Sequence, residues 1–142
     1  TLGYDARISS PGIFQSLLKG FTDGGAQVKT LGLITTPMSY FSMFHLDADG
    51  GMMITGSHNP PDYNGFKISV GKSTIFGKDI LKLGEIVDQK EWVSGSGSHE
   101  AYDIFAPYVA KHKEEFKDLK PIPVVIDCGN GAAGIVARRL YE

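Results

Sequence analysis

The stretch GMMITGSHNPPDYNGFKISV, residues 51–70, indicates the fold more clearly than any other part of the sequence. It begins with a short apolar run, 51–55, which is typical of a buried strand. It ends with 66–70, where apolar and polar residues alternate as they do in a half-buried strand. The loop between them contains two prolines, which stiffen the backbone, and two glycines, which free it. We therefore predict two strands joined by an ordered loop.

The segments on either side alternate between strand and helix, which predicts an α/β protein. Further strands are predicted over 1–4, 28–34 and 124–127. Helices are predicted from Pro11 to the glycine pair at 24–25, and over 36–44, 78–87, 101–119 and 132–141. Ser9 or Ser10 should cap the first helix, and Pro107 should kink the one over 101–119. The stretch 93–98 is rich in glycine and serine, and we predict it to be flexible.

A domain boundary is predicted at Lys120-Pro-Ile-Pro123. Residues 1–119 then form one domain, and 120–142 form the beginning of a second, as a strand, a tight turn at Cys128–Gly131 and a helix. The sequence starts at Thr1 without an initiator methionine and stops at Glu142 within a predicted helix. We therefore expect a fragment of a longer protein.

The composition indicates a soluble globular protein. The chain has 142 residues, 42% of them apolar and 21% charged, which suffices for a hydrophobic core without disulfides. A net charge of −2 gives no indication of the positively charged surface that binds nucleic acid or an anionic membrane. The single cysteine, Cys128, fits a reducing compartment, and no apolar run approaches the roughly 18 residues of a membrane span. We expect a cytoplasmic protein that binds neither nucleic acid nor membranes.

The loop over 55–67 carries the most reactive combination of residues. Ser57 follows the strand directly, where an exposed loop can present its hydroxyl. Gly56 lets the backbone adopt unusual conformations and lets a ligand approach closely. Asn64-Gly65 is predicted to supply the positive-φ pair of a tight reversal. In the returning strand, alternation places Lys67 on the face opposite Phe66 and Ile68.

A phosphoester on this serine is one chemistry that the loop would support. Such a group adds about 1.5 to 2 negative charges near neutral pH and needs donors or cations around it. His58, Lys67, exposed backbone N–H groups or a metal ion could serve. The residues by themselves leave open that this is only a well-ordered turn with a capping serine.

Several motifs resemble one family, the α-D-phosphohexomutases. GSHNPPDYNGFK, residues 56–67, is similar to the family's phosphoserine loop, most of all in the bacterial phosphomannomutase/phosphoglucomutase branch. Similar segments are GYDARISSP at 3–11, LITTP at 33–37 and VVIDCGNGAAG at 124–134, so the resemblance spans essentially the whole chain. It implies a mixed-sheet, three-layer α/β/α first domain without its extreme N-terminal segment, followed by the start of a second, similar domain.

The resemblance also implies an activity. Members interconvert hexose 1-phosphate and hexose 6-phosphate, of mannose or glucose, through a phosphoserine and a 1,6-bisphosphate intermediate. They use Mg²⁺, and glucose 1,6-bisphosphate activates them. The rest of the metal site, the sugar-selecting loop and the last phosphate-binding domain would lie beyond Glu142. We therefore expect hexose phosphates as partners and no activity from the fragment alone.

Roles for individual residues follow from the same resemblance. Ser57 is the phosphoryl donor and acceptor, and it contacts the metal through its phosphate. We expect Lys67 to assist proton transfer at the sugar hydroxyl and His58 to hold the phosphate. The predicted phosphate-binding residues are Gly56, Asn59 and Arg7. For Arg7, an ion pair with Asp5 or Asp23 as part of the scaffold is the alternative that we favour.

Other functions remain alternatives. A phosphoglucosamine mutase is one, although the Pro61–Gly65 form of the loop argues against it, and a non-catalytic phosphosugar-binding module is another. Gly129, Gly131 and Gly134 match the dinucleotide-binding glycine pattern, for which a strand–turn–helix context is required. We reject a serine hydrolase because its nucleophile elbow needs glycine where Asn59 stands. We also expect His58 to reach the adjacent Ser57 hydroxyl poorly.

Overall fold

A computed structural model describes residues 1–142, which form a six-stranded sheet with helices on both faces. The strands are β1 (Leu2–Tyr4), β2 (Gln27–Leu33), β3 (Gly50–Ile54), β4 (Phe66–Val70), β5 (Ser73–Thr74) and β6 (Ser98–Ala101). The helices are α1 (Ser10–Asp23), α2 (Thr36–His45), α3 (Lys78–Gln89), α4 (Phe105–Glu115) and α5 (Ala137–Tyr141), the last preceded by a 3₁₀ turn (Ala132–Ile135). None of these helices is both long and apolar enough to cross a bilayer.

The sheet is mixed, with strand order β5-β4-β3-β1-β2-β6. β1 runs parallel to β2 and β3, and β2 parallel to β6, whereas β4 and β5 are antiparallel to their neighbours. The carboxyl ends of β1, β2 and β3 therefore lie at one edge of the sheet. This brings the loops after β1 and β3 together, at the kind of edge where α/β proteins bind ligands.

Two hydrophobic clusters lie on opposite faces of the sheet. Successive residues of a strand face opposite sides, and Met53 and Ile54 accordingly belong to different clusters. On the α1 face the buried residues are Leu2, Phe14, Leu18, Val28 and Ile54. On the face of α2 and α4 they are Leu31, Ile34, Met38, Met53, Ile104, Tyr108 and Val136. The predicted three-layer, mixed-sheet α/β/α architecture is confirmed.

The predicted helix over 101–119 is wrong at its start. Residues 98–101 form the edge strand β6, which pairs with β2, and α4 begins at Phe105. Pro107 then lies in the first helical turn, where proline is tolerated, so no kink follows. The glycine–serine stretch at 93–98, which we predicted to be flexible, is hydrogen-bonded to the end of α1. The Gly95 N–H donates to the Asp23 carbonyl at 2.7 Å, and the Gly97 N–H donates to the Thr22 carbonyl at 2.9 Å.

The predicted strand over 124–127 is also wrong. These residues have no regular secondary structure and pair with no strand, and Val125 is fully exposed. The apolar run is typical of a strand, yet a strand needs a hydrogen-bonding neighbour, and residues 1–142 provide none here.

The predicted helix over 132–141 is divided into the 3₁₀ turn and α5. The domain boundary at Lys120 stays a prediction, and Val136 beyond it packs into the α2/α4 cluster.

Gly3 in β1 has no room for a side chain. A Cβ atom on Gly3 would lie 2.4 Å from Cδ1 of the fully buried Ile34. We expect Gly3→Ala to lower the free energy of unfolding by about 1–3 kcal/mol, as overpacking does. Gly20→Ala is the matched control, because no atom lies within 4 Å of that Cβ in α1, and it should raise stability by about 0.5–1 kcal/mol. Urea unfolding checks both, and equal stability of the two variants would contradict the packing described here.

Candidate functional site

The loops that follow β1 and β3 form one cavity of about 540 Å³. The Asp5 N–H donates to the Ile54 carbonyl at 2.9 Å, which ties the ends of the two strands together. Residues from the start of α2 and from the turn at 129–133 complete the walls. Four of the six predicted site residues line this cavity: Arg7, Ser57, His58 and Asn59.

Ser57 has an exposed side chain on a backbone in an unusual conformation. Its φ is +53°, in the left-handed region, which costs a residue with a Cβ roughly 1–2 kcal/mol. Its N–H donates to Thr55 Oγ1 at 2.9 Å. Its Oγ lies 3.0 Å from Nδ1 of His58. The expectation that the adjacent histidine reaches the hydroxyl poorly is therefore wrong, because the left-handed turn brings the two side chains together; Asn59 still stands where a hydrolase elbow needs glycine.

Arg7 lies beneath this loop and is largely buried, with a side-chain exposure of 13%. Its Nε donates to Oδ2 of Asp5 at 3.2 Å. Its two Nη groups donate to four backbone carbonyls, at 2.6–3.0 Å, those of Ser57, Asn59, Pro60 and Tyr63. A guanidinium has five N–H groups, and each has a partner within the chain. The predicted pair with Asp5 is confirmed, whereas Asp23 pairs with Lys19.

Gly56 makes room for Arg7. A Cβ atom at this position would lie 2.4 Å from Cζ of Arg7 and 2.6 Å from its Nε. Gly56 does not have a positive φ, so the expected backbone freedom is not what the fold uses here. Glycine is required because the guanidinium packs against the backbone of the loop.

Asn64 anchors the far end of the loop. Its Nδ2 donates to the hydroxyls of Ser9 and Ser10, both at 3.0 Å, and its Oδ1 accepts the Gly65 N–H at 2.9 Å. The predicted tight reversal is wrong, because neither Asn64 nor Gly65 has a positive φ. The long loop closes through the Thr55 N–H and the Gly65 carbonyl instead, at 2.9 Å. The hydroxyls of Ser9 and Ser10 do not cap α1.

Asp5 connects these contacts. Oδ1 accepts the Ser10 hydroxyl at 2.8 Å and the Arg7 backbone N–H at 3.2 Å. Burial by itself raises the pKa of the Asp5 carboxyl, but hydrogen bonds from Ser10, Thr55 and Arg7 outweigh it, so the pKa lies below its ordinary value of 3.8. The carboxylate is thus held ionised beside the guanidinium.

This lowered pKa predicts a dependence of stability on pH. The folded state favours ionised Asp5, so its contribution is fully present above about pH 4 and is lost as the pH falls through the folded pKa. At neutral pH we expect Asp5→Asn to lower the free energy of unfolding by about 1 kcal/mol. Between neutral pH and pH 3 the variant should lose less stability than the wild type. Thermal unfolding across this range checks it, with exposed Asp118→Asn as control; parallel curves for Asp5→Asn and wild type would contradict it.

Lys67 lies on β4 and does not line the cavity. It pairs across the sheet with Met53, so it faces the α2/α4 side, while Phe66 and Ile68 pair with Ile54 and Met52 of the α1 side. This agrees with the predicted alternation. Its ammonium has no hydrogen bond or ion pair within residues 1–142, and its role in proton transfer stays a prediction.

Residues 129–133 line the same cavity from the opposite side. Gly129 and Asn130 both have positive φ, of 55° and 57°. The dinucleotide pattern requires a strand before this turn, and none precedes it. The structural context for a nucleotide site is therefore absent.

Two features of the site had signals in the sequence that we did not use. Thr55, two residues before Ser57, has the spacing of a side chain that accepts a nearby backbone N–H. The polar run Asp5–Ser10 follows a strand that is adjacent to the serine strand, so contact between the two loops could have been anticipated. No sequence signal indicated that four carbonyls converge on Arg7.

The residues present do not by themselves make a Mg²⁺ site. No group of three or more histidine, cysteine, aspartate or glutamate side chains is placed to hold a metal ion. Mg²⁺ takes oxygen ligands, and the Asp5 carboxylate in this cavity already accepts hydrogen bonds from Ser10 and Arg7. A phosphoryl group on Ser57 would provide one ligand, so the others would have to come from outside the chain.

Comparison with known proteins identifies the family. The family model described as phosphoglucomutase/phosphomannomutase, alpha/beta/alpha domain I, matches residues 1–93. The chain belongs to the phosphoglucomutase/phosphomannomutase family. The family's domain I has the α/β/α architecture described above, and its matched region contains every predicted site residue.

Individual relatives agree with this assignment. The phosphomannomutase/phosphoglucomutase of Pseudomonas aeruginosa is 42% identical over 99% of the chain and 30% of its own length. The phosphoglucomutase of Neisseria gonorrhoeae is 41% identical over 99% of the chain and 31% of its own length. A crystal structure of a phosphoglucomutase/phosphomannomutase family protein from Burkholderia thailandensis superposes with a TM-score of 0.90 at 34% identity, covering 99% of the chain and 32% of that protein. The chain thus spans about 30% of the length of its curated relatives.

Proposed function

We propose that the complete protein, of which this chain forms all or part, is a phosphohexomutase that interconverts hexose 1-phosphate and hexose 6-phosphate. Mannose and glucose phosphates are the proposed substrates, as the names of its relatives suggest. The observation that carries the proposal is Ser57, which stands exposed on a loop fixed from below by Arg7 in a chain of this family. Phosphoryl transfer depends mainly on positioning and charge stabilisation, which such a loop supplies.

The proposed reaction consists of two transfers. In the first, a sugar hydroxyl oxygen bonds to phosphorus as the bond to Ser57 Oγ breaks; the hydroxyl proton passes to Lys67, which enters this step as the neutral amine, and Oγ takes a proton from protonated His58, whose Nδ1 lies 3.0 Å away. The resulting 1,6-bisphosphate reorients. In the second transfer Oγ bonds to the other phosphorus and returns its proton to His58, while the departing sugar oxygen takes the proton from Lys67. Both side chains end as they began.

The exposed face of the loop is the proposed place for the phosphoryl group. Asn59 is exposed there, two residues after Ser57, with its carbonyl turned inward to Arg7, whereas Gly56 lies buried against the guanidinium and would act through its backbone. Mg²⁺ bound to the Ser57 phosphate would offset charge on the transferring group. Glucose 1,6-bisphosphate is the proposed activator, because it can restore the phosphoserine. The cytoplasm is the proposed location.

The test is a mutase assay on the complete protein. Glucose 1-phosphate and mannose 1-phosphate are supplied separately with Mg²⁺, with glucosamine 1-phosphate as the comparison substrate, and the 6-phosphates are followed by ³¹P NMR. We expect conversion of both, faster with glucose 1,6-bisphosphate, and loss on chelation of Mg²⁺ that its re-addition reverses. Residues 1–142 alone should give no measurable conversion. Preference for glucosamine 1-phosphate, or no conversion of any sugar phosphate, would contradict the proposed function.

A further inference from the structure

One arginine, Arg7, binds four backbone carbonyls of the Ser57 loop. The four carbonyls bound by the Nη groups of Arg7 all come from residues 57–63. Four converging carbonyl oxygens would repel one another without a cation between them. Because the guanidinium is charged and largely buried, these hydrogen bonds are stronger than neutral ones at an exposed site.

From this arrangement we infer that Arg7 is a positioning residue, which sets the conformation of Ser57 for phosphoryl transfer; the inference rests on the proposed function. Its Nη2 binds the Ser57 carbonyl at 3.0 Å, the peptide oxygen of the residue with the strained left-handed backbone. Conformations of this kind persist only where the surroundings determine them. Arg7 provides that determination, together with the contact between the Ser57 N–H and Thr55.

The same contact orients a donor toward the exposed side of the loop. In a trans peptide the C=O and N–H groups point in opposite directions. With the Ser57 carbonyl turned to Arg7, the following N–H, that of His58, points away from the guanidinium. This N–H has no partner within the chain, so it is free to donate to a phosphoryl oxygen on Ser57. Arg7 thus acts on the phosphate through the backbone.

Direct binding of the phosphate by Arg7 is a poorer explanation of these contacts. All five of its N–H groups have partners, and its charge is already balanced by Asp5 at 3.2 Å. Lysine could not replace it, because an ammonium has three donors at one point and cannot span four carbonyls. Gly56 is part of the same arrangement, since any Cβ at this position would displace the Arg7 guanidinium.

The test compares Arg7→Met, Arg7→Lys and Gly56→Ala in the complete protein, with exposed Arg138→Met as the matched control. Hydrogen exchange of the 55–65 peptide is measured well below the melting temperature. The rate of phosphoryl transfer from glucose 1,6-bisphosphate to Ser57 is measured by mass spectrometry. We expect Arg7→Met to speed loop exchange by at least about tenfold and to slow phosphoryl transfer on the order of 10²-fold. Arg7→Lys should fall between Arg7→Met and wild type, and Arg138→Met should match wild type.

Steady-state kinetics and a double variant separate positioning from a general loss of stability. The kcat of Arg7→Met should fall while the KM for the sugar phosphate changes less than about threefold, because the loop acts on the transferring group. Adding Gly56→Ala to Arg7→Met should cause little further loss of kcat, since both changes remove the same contact between Arg7 and the loop. Unchanged loop exchange in Arg7→Met, or fully additive losses, would overturn the inference. A wild type that accepts no phosphoryl group would overturn the proposed function. The hydrogen-exchange measurement tests the effect of Arg7 on the loop conformation whether or not phosphoryl transfer occurs.

Discussion

Replacing Ser57 with alanine is expected to abolish mutase activity in the complete protein, by on the order of 10⁴-fold or more, as loss of a covalent nucleophile does. The reason is that no other hydroxyl takes the place of Oγ beside Nδ1 of His58. The fold should be unaffected, since the side chain is exposed and Oγ binds only its neighbour. Conversion of glucose 1-phosphate measures the loss.

Ser16→Ala is the matched control for this variant. Ser16 is also an exposed serine, on α1, and its Oγ donates to the Gly12 carbonyl at 3.2 Å. We expect full activity from it. Activity of Ser57→Ala within tenfold of the control, with both proteins folded, would show that the reaction does not pass through this serine.

Lys67→Met is expected to lower kcat by about 10²–10⁴-fold, the usual contribution of a general acid or base. Methionine keeps the length and the apolar stem of the side chain, and the ammonium has no partner within residues 1–142 to lose. The melting temperature should therefore stay close to that of the wild type. Lys82→Met, at an exposed position of α3 that pairs with Asp79, is the control. Unchanged turnover in Lys67→Met would remove this lysine from the mechanism.

The strands and helices that the sequence predicted correctly are those with an apolar side. Residues 1–4 contribute the buried Leu2 to the α1 cluster, residues 28–34 contribute buried side chains to both clusters, and α1 repeats its apolar residues at helical spacing. In β1, β2 and α1 such patterns arise because the element buries one face or both. β6 has no such pattern, because Ser98–Ala101 is an exposed edge strand. It is held by main-chain hydrogen bonding with β2, which does not require apolar side chains and therefore cannot be predicted from them.

The reverse error occurred at 124–127. Val124-Val125-Ile126 has the composition of a buried strand, but local composition cannot supply a neighbouring strand, and the segment stays unpaired. Whether a run of β-branched residues forms a sheet depends on which edge is available to it. Within residues 1–142, neither of the two outer strands of the sheet, β5 and β6, pairs with this segment.

The candidate site was predictable in its chemistry and less so in its geometry. The sequence identified Ser57, His58 and Arg7, and the structure brings them to one cavity. It did not indicate the left-handed Ser57, which places His58 beside the hydroxyl, or the convergence of distant carbonyls on Arg7. Both depend on two loops meeting across the ends of β1 and β3, a contact between residues about 50 positions apart. Local propensity carries little information about such contacts.

The central claim is that Ser57 carries the phosphoryl group, and the most direct test is the intact mass of the complete protein. The mass is measured as purified and again after incubation with glucose 1,6-bisphosphate, beside the Ser57→Ala variant. We predict one added phosphoryl group in the wild type, located by peptide mapping to the segment that contains Ser57 and missing from the variant. No phosphoryl group in either sample, or the same group in both, would contradict the account.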